Sequence, residues 1–182
     1  MKSYTYTHPE AIEYTGDVPV LAENGQVVAY SRRVYDNFLK RTFDKTLDFR
    51  YFLKYDVLDH NRQQLFTVKK ISRRGKLWFE GVEAATKEKY LISYENWRIG
   101  IPTLYITNGE MKIVLEKEFE DWSRFLIDQE EIAKWKAEYR EGAAVGKANG
   151  EFHISLQIND NSPIQQPEFF IAICQATLFV GA

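Results

Sequence analysis

The 182-residue sequence predicts one β-rich domain, a sandwich or a barrel, with its apolar C-terminal segment, Pro167 to Gly181, forming a helix buried in the core. Aromatic residues make up 15% of the chain, and rings pack well on pleated, half-buried surfaces. Short β-rich runs recur at regular spacing. Since no repeat, low-complexity tract or Pro/Gly-rich linker divides the chain, residues 1–182 are expected to form a single domain.

Strand signals begin early in the chain. The run from Val27 to Tyr35 mixes β-branched and aromatic residues and predicts a strand. Residues 36–49 have apolar spacings that suit either a short helix or an irregular pair of strands, and the pattern leaves both open. Residues 50–58 and 65–71 are two further β-rich runs, and the Asp and Asn residues between them favour a turn. This segment is therefore a predicted hairpin.

More strands are predicted at 76–81, 90–97, 103–107 and 111–117. Between the last two, Asn108-Gly109 is typical of a two-residue type I′ turn, which needs positive φ at both central positions. Phe152 to Asn159 alternates apolar and polar residues without a break, which predicts a strand with one buried face.

One amphipathic helix is expected among these strands. Asp128 is a candidate N-cap with Glu131 three residues later, and Ile132, Trp135 and Tyr139 follow at i, i+3 and i+7. The predicted helix runs from Asp128 to Glu141 and ends at Gly142.

The C-terminal segment has Pro167 where a helix would begin, Glu168 in the first turn and Gly181 at the end. A helix that is apolar on all sides is stable in water only when protein surrounds it. A pair of central strands is the alternative, because β-branched residues are frequent in the segment. A transmembrane helix is not expected, because the run is shorter than the roughly 20 residues that a bilayer requires.

Catalytic and metal-binding patterns are lacking. Cys174, the only cysteine, cannot form an intramolecular disulfide and lies in the most apolar stretch, where core packing is expected. His8, His60 and His153 stand far apart, without metal-ligand spacing. The acidic run 116–121 lacks the order of a calcium loop and is interpreted as a solvated strand edge. The sequence predicts a protein that is not an enzyme and needs no cofactor or metal.

Charge is unevenly distributed along the chain. Residues 1–76 contain 14 Lys and Arg against 9 Asp and Glu, while residues 77–182 contain 10 against 17. The two halves could complement each other across a shared core, or the basic half could present a face to an anionic partner. The net charge of −2 argues against nucleic acid.

A basic cluster ends one strand and enters the next connection. It consists of Lys69, Lys70, Arg73, Arg74 and Lys76. Five cations in eight residues favour a phosphate-bearing ligand, to which Arg offers bidentate contacts. The alternative is that these charges protect an exposed strand edge from aggregation.

Two segments resemble the tubby C-terminal-like superfamily, which includes the phospholipid scramblases and the LURP-one-related proteins. Tyr55 to Lys70 is similar to the strand, Asp/Asn turn and returning strand of that family, and Phe169 to Ala176 is similar to its final hydrophobic helix. The resemblance implies a closed barrel of roughly twelve strands with the helix through its centre, covering nearly the whole chain. It also implies a non-enzymatic module, since tubby proteins bind phosphoinositides through a basic pocket. The Pro-rich tail and cysteine cluster of the scramblases are absent here.

The functional expectation is a module that binds an anionic lipid headgroup or a phosphorylated ligand at the basic cluster. The alternative is a protein-protein interaction scaffold that docks through the 128–141 helix or an exposed strand edge. The first residues lack the features of a signal peptide, so the expected location is the cytoplasm or the periphery of a membrane facing it.

Overall fold

Twelve antiparallel strands close into a barrel around a helix in the computed structural model, which describes residues 1–47, 49–71, 78–94, 103–118, 120–141 and 150–179. Each strand pairs with the strands before and after it in the chain, and the last strand returns to the first. The strands are β1 Lys2–Pro9, β2 Val18–Ala22, β3 Val27–Arg33, β4 Lys54–Leu58, β5 Gln64–Lys70, β6 Trp78–Glu83, β7 Lys89–Tyr94, β8 Thr103–Thr107, β9 Lys112–Glu116, β10 Ser123–Ile127, β11 Glu130–Glu141 and β12 Gly150–Ile158. The predicted fold class is confirmed.

The central helix, α2, spans Pro167–Thr177 and is buried from Phe169 onwards. It packs against β3, β4, β5, β6 and β12, so it is enclosed by the barrel wall as predicted. The helix ends earlier than the expected Gly181, because Leu178 is its C-cap residue. Residues 180–182 lie outside the described part of the chain.

The end of α2 is stabilised by a buried lysine. Nζ of Lys117 donates a 2.7 Å hydrogen bond to the carbonyl oxygen of Thr177, one of the carbonyls that a helix leaves without an internal partner. Burial lowers the pKa of Lys117 to about 8. The predicted solvated strand edge at 116–121 is wrong at this point, because β9 pairs with both β8 and β10 and Lys117 is buried.

Cys174 faces the core from α2 and is fully buried. Burial raises the pKa of its thiol well above the ordinary value, so the reactive thiolate is suppressed. The packing role expected for this cysteine is confirmed.

Both predicted hairpins form, although one turn differs in type. β4 and β5 are joined through residues 59–63, with Arg62 at a φ of 64°. In the second hairpin Thr107 pairs with Lys112, so the connection has four residues rather than two. Only Gly109 of the Asn108-Gly109 pair has positive φ, and the Asn108 side chain accepts backbone hydrogen bonds from Glu110 and Met111. The predicted type I′ turn is wrong here because the asparagine closes a wider loop.

The helix predicted from Asp128 to Glu141 is wrong, because these residues form the β10–β11 turn and strand β11. Ile127 pairs with Glu130, and Asp128 and Gln129 have φ values of 49° and 71°, which is the backbone of a two-residue hairpin turn. A β-bulge opposite the Phe125–Leu126 bond then adds one residue to β11. As a result Ile132, Ala133 and Trp135 are all buried, and their spacing imitates a helix.

The segment that the sequence left open contains helix α1, Phe38–Lys45. The Asn37 side chain caps it by accepting a hydrogen bond from the backbone N–H of Lys40 at 2.9 Å. Within this helix only Asp44 is buried, while its large apolar side chains face solvent.

An ion pair fixes α1 to the barrel. Nη2 of Arg33 lies 2.5 Å from Oδ2 of Asp44, and both side chains are fully buried. Oδ1 of Asp44 accepts the backbone N–H groups of Tyr51 and Phe52, each at 3.0 Å. The same carboxylate therefore holds the helix and the chain that leads from it into β4.

Because every strand reverses direction, the connections alternate between two ends of the barrel. The end where β3 stops and β4 starts contains α1 and is called the α1 end; β5 also stops and β6 starts there. The β4–β5 turn and the beginning of α2 lie at the opposite end. These two ends carry different chemistry.

Candidate anion-binding site

A cleft at the α1 end lies between the start of α1, the residues entering β4 and the end of β5. Its lining consists of Val34, Tyr35, Asp36, Lys40, Phe52, Leu53, Lys54, Lys69 and Lys70. Four of these residues are lysines. The cleft therefore contains the first two members of the predicted basic cluster, Lys69 and Lys70, together with two lysines that sequence reasoning missed.

Strand register brings two of the lysines together. Lys54 at the start of β4 is the direct cross-strand partner of Lys69 near the end of β5. Like charges directly opposite each other in a sheet repel, so the pair requires a compensating anion. A register shift between Val57 and Leu58 produces this pairing, because the 59–63 turn alone would place Lys54 opposite Val68. The pair therefore could not be read from the sequence.

Asp36 supplies that anion. Its carboxylate lies 2.5 Å from Nζ of Lys40, 3.0 Å from Nζ of Lys54 and 3.6 Å from Nζ of Lys69. The hydrogen bond from Lys40, and then that from Lys54, lower the pKa of Asp36 below its ordinary value. One carboxylate is thus shared by three ammonium groups, and the cluster keeps an excess of positive charge.

Lys70 lies beside this group with a different partner. Its Nζ donates a 2.8 Å hydrogen bond to the carbonyl oxygen of Arg50 and lies 6.0 Å from the centre of the Tyr51 ring. Partial burial lowers the pKa of Lys70, although an ammonium group remains its form at neutral pH. Lys70 therefore adds a fourth positive charge to the rim of the cleft.

The remaining predicted site residues, Arg73, Arg74 and Lys76, lie outside the described residues. The strands that bracket them are described: β5 ends at Lys70 and β6 begins at Trp78. The alternative explanation, that the basic cluster protects an exposed edge, is wrong for β5, which pairs with β4 on one side and β6 on the other.

The cleft is small in this arrangement. Its free volume is about 20 Å³, which is room for roughly one water molecule. A phosphate group would need the lysine side chains to turn away from Asp36 and toward the ligand. Long, half-exposed lysines can do this, since such pairs contribute little to stability.

A second concavity lies at the opposite end, around the start of α2. It has a volume of about 270 Å³, and its acidic lining residues are Glu83, Glu88, Glu110 and Glu168. Burial raises the pKa of Glu168. This end of the barrel is unsuited to an anion, so the α1 end is the candidate site.

Metal-binding geometry is absent from the described part of the chain, where His, Cys, Asp and Glu side chains form no cluster of three or more. His8 and His153 lie on the neighbouring strands β1 and β12, with His8 buried in the wall and His153 paired with Glu151 on the outer face. His60 lies in the β4–β5 turn at the opposite end of the barrel.

The described residues thus form a closed antiparallel barrel around a buried helix, with a cluster of lysines at one end. The family model described as the Tubby C-terminal like domain matches residues 4–180. The chain belongs to this family, as the resemblance of its hairpin and final helix implied. Membership supports a non-enzymatic binding module in general terms.

Comparison with curated proteins and with solved structures finds no significant match. Among the described residues, no helix has the length and apolar character needed to cross a bilayer.

Proposed function

We propose that this domain is a non-enzymatic module that binds a phosphate-bearing anion, as a lipid headgroup or as a free phosphorylated molecule, at the α1 end. Lys40, Lys54, Lys69 and Lys70 form the described part of the site, and we propose Arg73, Arg74 and Lys76 from the basic cluster in the sequence as further ligands. The observation that carries the proposal is the sharing of one carboxylate, Asp36, by three ammonium groups. A dianionic phosphate satisfies such a group better than a single carboxylate does.

Two further observations support this choice. The Lys54–Lys69 pairing places like charges opposite each other without any strand edge to protect, which is a cost that a ligand site explains. The family to which the chain belongs also consists of binding modules, and tubby-like domains bind phosphoinositide lipids in general.

The alternative, a protein-protein interaction scaffold, was expected to dock through the 128–141 helix or through an exposed strand edge, and neither is present among the described residues. The helix predicted at 128–141 is a strand paired on both sides, and each of the twelve described strands has two neighbours. A protein partner therefore remains an outcome of the experiments rather than a second proposal.

The test is calorimetric titration of the full chain with a soluble inositol phosphate and with inorganic phosphate, combined with flotation on phosphatidylcholine vesicles with and without a phosphoinositide. Binding that weakens at high salt and is lost in a Lys54→Glu, Lys69→Glu variant supports the site. Binding of the soluble phosphates alone identifies a free phosphorylated ligand, and binding of the vesicles identifies a lipid. Unchanged binding by that variant, or by an Arg73→Glu, Arg74→Glu variant, removes the mutated residues from the site.

A further inference from the structure

We propose that helix α1 and the turn after it insert apolar side chains into the interface of an anionic membrane, and so dock the barrel with its α1 end toward the lipid. This inference rests on the proposed function and adds to it the element that enters the membrane and the orientation of the domain. The apolar side chains concerned are Phe38, Leu39, Phe43, Leu47 and Tyr51, called the apolar patch below.

The apolar patch is exposed to an unusual degree. Phe38 is 78% exposed, Leu39 65% and Phe43 62%, and Leu47 and Tyr51 are each about half exposed. Half of the exposed large apolar residues in the described chain fall in the fourteen positions from Phe38 to Tyr51. Leu39, Phe43 and Leu47 follow at intervals of four, so they form one row along the helix and its last turn. Single exposed apolar residues are ordinary, but a row of them marks an interaction surface.

The buried ion pair explains why these side chains cannot turn inward. Asp44 is the residue of α1 that faces the barrel, because Arg33 and two backbone N–H groups bind its carboxylate. Tyr35 adds a hydrogen bond of 2.9 Å from its hydroxyl group. A helix that is anchored through an aspartate must present its opposite side to the solvent, and here that side carries Leu39 and Phe43. The fold thus holds the apolar patch outward.

The charges around the apolar patch select a lipid surface among the occupants that could cover it. Within α1 the cations are Lys40, Arg41 and Lys45, while its one acid, Asp44, is paired with Arg33. Arg50 and the four lysines of the cleft extend this basic rim, and Asp36 is the one carboxylate in the cleft lining. Aromatic and aliphatic side chains bordered by Lys and Arg are typical of elements that lie in the interface of anionic membranes.

The two ends of the barrel support the same orientation. Four glutamates are among the residues that line the cavity at the opposite end, so docking through that cavity would bring carboxylates against anionic lipid. With only eight residues, α1 contributes modest apolar area, and stable attachment would require headgroup contacts in the neighbouring cleft as a second signal. The apolar patch and the lysine cleft lie on the same end of the barrel, and Lys40 of the cleft belongs to helix α1.

Site-specific labelling tests the insertion. A Phe43→Cys variant of the full chain is labelled with an environment-sensitive fluorophore, while the buried Cys174 stays unreactive. The matched control is Gln63→Cys, an exposed position in the β4–β5 turn at the opposite end. With vesicles of phosphatidylcholine and phosphatidylserine, we expect a blue shift and quenching by spin-labelled lipid for position 43 and neither for position 63. A label at position 43 that stays in water while the protein floats with the vesicles overturns the inference and leaves the proposed function intact.

A second variant tests the contribution of the apolar patch to binding. Leu39→Gln with Phe43→Gln should weaken partitioning onto these vesicles at least about tenfold, while titration with a soluble inositol phosphate is unchanged. Undiminished partitioning overturns the insertion, whereas loss of soluble-phosphate binding by Lys54→Glu, Lys69→Glu concerns only the proposed function. If sedimentation shows that the native chain is a dimer and this variant a monomer, the apolar patch is an interface between copies and the inference is wrong.

Discussion

The Nη2 atom of Arg33 lies 2.5 Å from Oδ2 of Asp44, and neither side chain has any exposed surface. Such a pair contributes little beyond what apolar residues could, but removing one partner leaves an uncompensated charge in the interior. The pair connects the end of β3 with α1, so its energetics decide whether the α1 end keeps its shape.

Breaking this ion pair is expected to destabilise the fold strongly. Asp44→Ala should lower the free energy of unfolding by about 3–5 kcal/mol, because Arg33 is left buried without its counter-ion. Arg33→Met should cost a comparable amount, and the double variant should cost clearly less than the sum of the two. Urea unfolding followed by fluorescence measures all three. Additive losses would show that the two groups act independently.

Acid destabilisation should depend on His8. This side chain is 2% exposed, and burial lowers its pKa from 6.5 to about 4. Between those two pH values the unfolded chain takes up a proton that the folded chain does not, so stability falls as the pH falls from 6.5 to 4, by about 2–3 kcal/mol in total. Above pH 6.5 this contribution is constant.

The measurement is urea unfolding across that pH range. His8→Gln should flatten the slope of stability against pH, while His153→Gln, on the outer face of β12, should keep the native slope. Equal slopes for the native chain and His8→Gln would contradict the assignment.

Neutralising Asp36 should strengthen anion binding. The carboxylate competes with a phosphate for the ammonium groups of Lys40, Lys54 and Lys69. Asp36→Asn should therefore raise the affinity for a soluble inositol phosphate by about three- to tenfold at low salt. Asp160→Asn changes the net charge equally at the opposite end and should leave the affinity nearly unchanged. An equal gain in both variants would mean that only net charge matters.

Truncating a phenylalanine to alanine should lower stability strongly in the core and very little in the apolar patch. Phe170 is fully buried on α2, with its ring centre 5.1 Å from that of Phe125. Phe170→Ala should cost about 3–5 kcal/mol of stability, whereas the same change at Phe38, which is 78% exposed, should stay within about 0.5 kcal/mol. Thermal and urea unfolding check both values. A large loss at position 38 would place that ring in the core.

Much of the barrel was predictable because its strands obey simple rules. The apolar and polar alternation in β12 predicts a strand, and the turn residues between β4 and β5 predict a hairpin. Both are present in the barrel. The apolar character of α2 also required a fully enclosed position. Closure of the barrel, in contrast, depends on pairing between β1 and β12, which no local pattern reveals.

The failures have identifiable causes. The bulge in β11 shifts Ile132 onto the same face as Ala133 and Trp135 and so produces a false helical spacing. Helix α1 gave an ambiguous signal because its inward residue is Asp44 and its apolar residues point outward, which reverses the usual pattern.

Two of the four lysines in the candidate site could be predicted from the sequence. Lys69 and Lys70 stand in a dense basic run, but Lys40 and Lys54 are isolated in sequence and are recruited by strand register and by Asp36. A composition-based search finds charge density along the chain, and it cannot see charges that converge from three separate elements.

The position of α2 inside the barrel has a consequence for biosynthesis. The wall cannot close until β12 has been made and paired with β1, and the core cannot be filled until the following residues 167–177 arrive. During translation the earlier strands must wait as an open, incompletely packed sheet with apolar surface exposed. The core of the barrel is therefore assembled late, only after residues 167–177 have joined strands that were synthesised before them.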